Sequence, residues 1–273
     1  MIRSLLILSV SCLALPAYAQ GIPRSDGAIT PVKRYGPQIG CGPAMIISHG
    51  FGGSEEGNAG LARAMAAQGW RVLVMGHKES GKQPFREALF SASPRQNLAA
   101  FANRAEPHRL RFLDLDAAVA DVTRNCRPAK FVLAGHSMGA MTTMLEAGAV
   151  ARFGRFGSNR FDAYVAISPQ GIGVTYAAGA WGGVSRPVLM ITGTRDQGSD
   201  GGVETRLPAF EGLPPGSKRL AIIPGAGHLA LASNGGDAVS TTVGALALEF
   251  TNALGKGRAL PQSAIAGVDI RDK

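Results

Sequence analysis

"VLAGHSMGAM", residues 132–141, sets one serine between two glycines, directly after an apolar run and ahead of small residues. Two readings open from it. Ser137 is a nucleophile on a strained turn, or it is an ordinary serine where a strand hands over to a helix. The apolar run Lys130–Ala134 reads as a buried strand, and the Ala- and Met-rich stretch from Met138 reads as a helix. That is the strand–turn–helix context that a G-x-S-x-G nucleophile elbow needs. Small residues at 135 and 139 let strand and helix pack closely. A serine hydroxyl is a weak nucleophile without a base, so the choice depends on what the rest of the chain supplies.

The wider pattern is an alternation of short apolar runs with helical stretches. Runs at Ala44–Ser48, Arg71–Met75, Lys130–Ala134, Ala163–Ile167, Pro187–Thr192 and Leu220–Ile223 are continuously apolar, as expected for parallel strands buried on both faces. Helices are expected after Ser54, a candidate N-cap with Glu55 and Glu56 behind it and Gly69 as a stop. Others fall near Leu110–Thr123, Met138–Ala151 and Ala238–Ala253. Such alternation predicts an α/β fold, a doubly wound, mostly parallel sheet with helices on both faces. Residues 77–109 and the glycine-rich stretch 170–186 fit neither pattern. Both follow strands and should emerge at the carboxyl edge, where open α/β sheets bind ligands. The tail from about residue 256 reads as irregular and peripheral.

A base is found by elimination. His228 is the only histidine after Ser137, and it lies in "IIPGAGHLAL", just beyond a strand candidate. Between Asp162 and Asp200 the one acidic residue is Asp196, which follows the strand "PVLMIT". Its carboxylate could hold the imidazole's tautomer and stabilise the imidazolium. Order, strand context and uniqueness agree, so Ser137, Asp196 and His228 are the candidate catalytic set. His136 stands next to the serine but should point elsewhere. "ISHGFGGSEE" follows another apolar strand and opens a helix, which leaves backbone N–H groups free. The expected oxyanion donors are the amides of Met138 and Phe51, with Gly52 as the adjacent alternative to Phe51 and His49 supporting the loop. Phe51 and Trp181 are candidate substrate contacts, with a core anchor as the other reading of Trp181.

Taken together, "SHGFGG", "GHSMGA", "TGTRD" and "GAGH" resemble the α/β-hydrolase superfamily over about residues 40–250. More narrowly, the chain is similar to exported serine hydrolases near the dienelactone-hydrolase-like, chlorophyllase and platelet-activating-factor acetylhydrolase group. The methionine after the serine is similar to that of polyester-cleaving cutinases. Dienelactone hydrolases proper use a cysteine nucleophile, which Ser137 argues against. The resemblance implies that the strands entering the oxyanion loop and the elbow are parallel neighbours. Cys41 and Cys126 would then share the amino edge, and a disulfide between them is expected in an exported chain.

Residues 1–19 carry the pattern of a cleaved signal peptide: Arg3, an apolar stretch, and Ala17-Tyr18-Ala19. Residues 20–273 are then expected to form one domain, periplasmic or secreted. No later stretch is long and apolar enough to span a bilayer. Hydrophobic residues make up 45% and charged ones 17%, which indicates a globule rather than a disordered chain. The net charge of +9 is dispersed, without the basic blocks and interleaved aromatics of a nucleic-acid groove. No metal-ligand spacing or phosphate-cradling lysine loop is present, so neither a metal nor a cofactor is expected. The expected activity is that of a monomeric serine hydrolase, cleaving a small-molecule or polymeric carboxylic ester through an acyl-enzyme. Polyester, lactone or amide cleavage, or an inactive secreted binding protein on the same fold, are the alternatives.

Overall fold

Each of the six apolar runs becomes a strand of a single sheet, and three strands without such runs extend it at both ends. The computed structural model describes residues 21–198, 200–255 and 260–273; the expected signal peptide lies outside them, as do residues 256–259. The strands are β1 (Gly21–Pro23), β2 (Ile29–Tyr35), β3 (Ala44–Ser48), β4 (Arg71–Met75), β5 (Phe131–His136), β6 (Ala163–Ile167), β7 (Val188–Arg195), β8 (Lys218–Gly227) and β9 (Asp269–Asp272). Their order in the sheet is β1-β2-β4-β3-β5-β6-β7-β8-β9. Pairs from β4 through β8 are parallel, whereas β1–β2, β2–β4 and β8–β9 are antiparallel. The end of the tail is therefore not irregular, because β9 pairs along β8.

The helices are α1 (Ala59–Ala67), α2 (Lys82–Leu89), α3 (Pro94–Ala102), α4 (Ala105–Thr123), α5 (Met138–Glu146), α6 (Leu207–Glu211) and α7 (Ala238–Ala253). Alternate side chains of each central strand feed two cores. Phe131 and Leu133 of β5 pack with α4, α5 and α6 residues such as Leu115, Met141 and Phe210. Val132 and Ala134 pack with Leu61 and Met65 of α1 and with Leu246 and Phe250 of α7. A sheet covered on both faces excludes water from its ladder, which is why its strands carry no polar alternation.

Three helix boundaries differ from the sequence expectation. α4 starts at Ala105 rather than near Leu110. α1 starts after Asn58 rather than Ser54, whose hydroxyl accepts from the Glu56 amide instead. The glutamates thus sit in the turn before the helix. α5 stops at Glu146, because Gly148 takes φ +113° and the buried Glu146 carboxylate anchors the return segment through Arg160 at 2.9 Å. Residues 77–109 hold α2, α3 and the start of α4. Neither α2 nor α3 has a buried residue, so these two helices lie over the domain, while His77, Ser80 and His108 at either end of the segment are buried in it.

At the amino edge, β3 and β5 run side by side with Ala44 opposite Phe131. Cys41 and Cys126 precede these strands and are joined by a disulfide, their Cα atoms 5.8 Å apart.

Candidate active site

The carboxyl edge of the sheet gathers the predicted residues. β5 ends at His136, α5 begins at Met138, and Ser137 between them takes φ 54° and ψ −117°. Such strain persists only where the surroundings over-determine it. Here they do: a Cβ at Gly135 would collide with the Gly139 carbonyl, and one at Gly139 with the Ser48 carbonyl. The Ser137 amide is also tied to Ile167 O of β6 at 2.9 Å. The hydroxyl is thereby lifted off the end of the sheet.

His228 follows β8 and Asp196 follows β7, so neighbouring parallel strands bring both within reach. Ser137 Oγ lies 3.1 Å from His228 Nε2, and His228 Nδ1 lies 2.7 Å from Asp196 Oδ1. His136 points away, as expected; its Nε2 donates to the His228 carbonyl at 2.9 Å and its ring rests 4.7 Å from that of His228. Burial, and then the neighbouring His228, push the His136 imidazole down to about 3, so it stays neutral.

Asp196 accepts more hydrogen bonds than sequence reasoning assigned. Besides His228, it receives Ser168 Oγ at 2.9 Å, Thr192 Oγ1 at 2.7 Å, and Arg206 Nε and Nη2 at 2.9 and 3.3 Å. Burial by itself would raise this carboxyl. The bonds from His228, Arg206 and Thr192, with the Arg206 charge, outweigh it and hold Asp196 well below the ordinary carboxylate range. Ser168 directly follows β6 at φ 53°, and its hydroxyl also sits 2.9 Å from His228 Nδ1. The signal for Arg206 was an arginine ten residues after the aspartate in the same connection. Nothing local marked Ser168.

The Phe51 loop leaves β3 at Ser48. Its Gly52 amide donates to Ser80 O at 3.0 Å, which removes Gly52 as the oxyanion donor. Among the described residues the amides of Phe51 and Met138 have no protein acceptor. A buried polar network fixes this loop from behind. The fully buried Arg111 of α4 donates to His49 O at 2.7 Å, and to the hydroxyls of Ser48 and Ser80 at 3.2 and 2.9 Å. His77 bridges Ser48 Oγ and Asp114 Oδ2 at 2.9 and 2.7 Å, and its amide donates to His49 Nε2 at 2.9 Å. His49 therefore supports the loop, in line with the sequence reading. Burial, then the nearby Arg111 among other cations and imidazoles, lowers both His49 and His77 well below an ordinary imidazole.

Ser137, His228, Phe51 and Met138 all line one pocket of about 630 Å³, a size suited to a small organic ligand. Phe85 of α2, with Leu98 and Ala102 of α3, supplies an apolar wall. Phe51 stacks on Phe101 at 4.3 Å and meets the edge of Phe85 at 5.4 Å. The segments 77–109 and 170–186 meet through a Thr175–Asn103 hydrogen bond. Trp181 is not a pocket residue. It is fully buried, 5.0 Å from the Tyr176 ring, and packs in the core because the glycine-rich segment turns inward. Among the described residues no cluster of His, Cys, Asp and Glu could hold a metal ion, and no helix is long and apolar enough to cross a membrane.

Comparison with known proteins bears on the fold that carries these residues. Residues 43–178 match a family model described as the alpha/beta hydrolase fold. A putative dienelactone hydrolase from Klebsiella pneumoniae superposes with a TM-score of 0.62 at 18% identity, covering 86% of this chain and 97% of that one. Est1E from Butyrivibrio proteoclasticus, solved with ferulic acid bound, superposes with a TM-score of 0.59 at 18% identity, covering 85% and 98%. At such identities the likeness concerns the fold. No curated protein matches the sequence.

Proposed function

We propose that this chain, which belongs to the α/β-hydrolase superfamily, cleaves carboxylic esters with Ser137 as its nucleophile. The observation that carries this reading is the unbroken line from Ser137 Oγ through both ring nitrogens of His228 to Asp196, at 3.1 and 2.7 Å. A fold hosts many functions, so the activity is argued from the site.

Ser137 Oγ attacks the ester carbonyl carbon while His228 Nε2 takes its proton. Asp196 keeps the Nδ1 proton in place and stabilises the imidazolium. The carbonyl oxygen, now anionic, is received by the free amides of Phe51 and Met138. His228 then returns its proton to the departing alkoxide, which leaves as the alcohol. A water molecule, deprotonated by the same imidazole, attacks the acyl-enzyme and releases the carboxylic acid. The apolar wall of Phe51, Phe85 and Leu98 favours an uncharged acyl or aryl group over a charged one. The disulfide supports the export expected from residues 1–19, since such bonds persist in oxidising compartments.

Hydrolysis of a p-nitrophenyl ester series by the purified chain tests this reading. Turnover that falls roughly 10⁴–10⁶-fold in Ser137→Ala supports it. A folded wild-type protein that hydrolyses none of the series favours a binding protein instead.

A further inference from the structure

Arg206 is fully buried and chelates a carboxylate that already has three other donors. Its Nε and Nη2 lie 2.9 and 3.3 Å from the two oxygens of Asp196, while Nη1 reaches Asp200 at 3.4 Å and Thr205 Oγ1 at 3.1 Å. The loop between β7 and α6 is shaped around it. A Cβ at Gly198 would collide with the Asp200 carboxylate and the Arg206 guanidinium, so this backbone closes directly over the pair. Asp196 does not need the arginine to satisfy its hydrogen bonds, because His228, Ser168 and Thr192 supply three. A buried ion pair adds little net stability once desolvation is counted. What it adds here is a fixed positive charge behind the residue that faces His228.

We propose that Arg206 is a positioning residue of the triad: it aligns Asp196 and offsets its charge, so that less negative charge faces His228. The inference rests on the reading of Ser137, His228 and Asp196 as a triad. The titratable and charged groups around the imidazole are Asp196 after β7, His136 on β5, and Arg206 with Asp200 on the connecting loop; Ser137 and Ser168 face it with hydroxyls. His136 is buried and neutral across the working range. The charge acting on His228 is thus that of Asp196, offset by Arg206, which Asp200 in turn partly offsets. An imidazolium facing an offset carboxylate is less stable than one facing a free carboxylate, so Arg206 favours the neutral base.

The test is the pH profile of kcat/KM for p-nitrophenyl acetate. In Arg206→Gln, the acid limb should move to higher pH by about one unit, with kcat reduced and KM little changed. Arg206→Lys keeps the charge and should restore most of that shift. Asp200→Asn should move the limb the opposite way, to lower pH, since Asp196 then becomes the sole carboxylate on the guanidinium. Asp200 is one-third exposed, so this variant carries the test if Arg206→Gln does not fold. Opposite shifts in the two variants support the proposal, whereas a limb that stays put in both overturns it. If Ser137→Ala leaves hydrolysis intact, the triad reading falls and this inference with it. If Ser137→Ala abolishes hydrolysis while the limb stays put, only the role of Arg206 falls.

Discussion

Replacing both Cys41 and Cys126 by serine should lower stability substantially and leave the chemistry untouched. The disulfide spans 85 positions and closes a loop containing β3, α1, β4, the whole segment 77–109 and α4. For a loop of that length, the chain-entropy relation gives about 4.5 kcal/mol of stabilisation at 25 °C, acting through the unfolded state. In a domain of this size each kcal/mol moves the melting temperature by about 2–4 °C, so the double variant should melt about 9–18 °C lower. The sulfurs lie at the amino edge of β3 and β5, whereas Ser137 and Phe51 lie beyond the carboxyl ends of the same strands. kcat/KM at 25 °C should therefore stay within about twofold of wild type, since the site makes no contact with the bridge. Calorimetry under non-reducing conditions reads the first quantity and ester hydrolysis the second. Two titratable thiols in the unreduced wild type, or an unchanged melting temperature in the double variant, would refute the reasoning.

The protein should also be acid-labile. His49, His77, His108 and His136 are buried and held neutral, with His108 pushed down to about 4 and His136 to about 3, in each case chiefly by burial. The unfolded chain binds protons at these positions from about pH 6.5 downward while the folded chain does not, so stability falls as pH drops below that value. Between pH 7 and 5 each group should cost roughly 2 kcal/mol, and Asp114, whose carboxyl is raised by burial, offsets a part. Urea titrations across that range should show a falling midpoint; a flat one would contradict the buried-histidine account. Trp181→Ala should lose about 3–5 kcal/mol of stability with KM unchanged, because the ring belongs to the core and not to the pocket. A raised KM with unchanged stability would reverse that assignment.

What could be read from the sequence was whatever local apolarity marks. The boundaries of β3, β4, β6 and α7 coincide with apolar or periodic runs, because elements buried on both faces or along a full stripe need them. β9, with the sequence DIRD, offers no such run; it exists only because β8 presents an open edge some fifty residues upstream. β2 carries Pro31 and two basic residues and pairs antiparallel to β4, a long-range event with little local signature. α2 and α3 bury nothing, so the strongest helix signal, a core-facing stripe, was missing from residues 77–109.

The site divided along the same line. Ser137, Asp196 and His228 were legible because strand ends, chain order and the scarcity of histidine left one choice. Ser168 and the Arg111–His77–Asp114 network were not, since their roles arise from contacts between segments far apart in the chain, and Arg206, though only ten residues from Asp196, sits in a connection with no local pattern to mark its direction. Trp181 was half legible: a tryptophan amid glycines fits a pocket rim or a core anchor, and only the inward fold of residues 170–186 decides between them.

The central claim is that Ser137 is an activated nucleophile. Incubating the purified wild-type protein with a fluorophosphonate and locating the adduct by peptide mass spectrometry tests it most directly. The account predicts a single adduct on the peptide bearing Ser137, absent in Ser137→Ala and strongly slowed when His228 is replaced by alanine. A folded wild-type protein that takes no label, or one labelled on another serine, would contradict it.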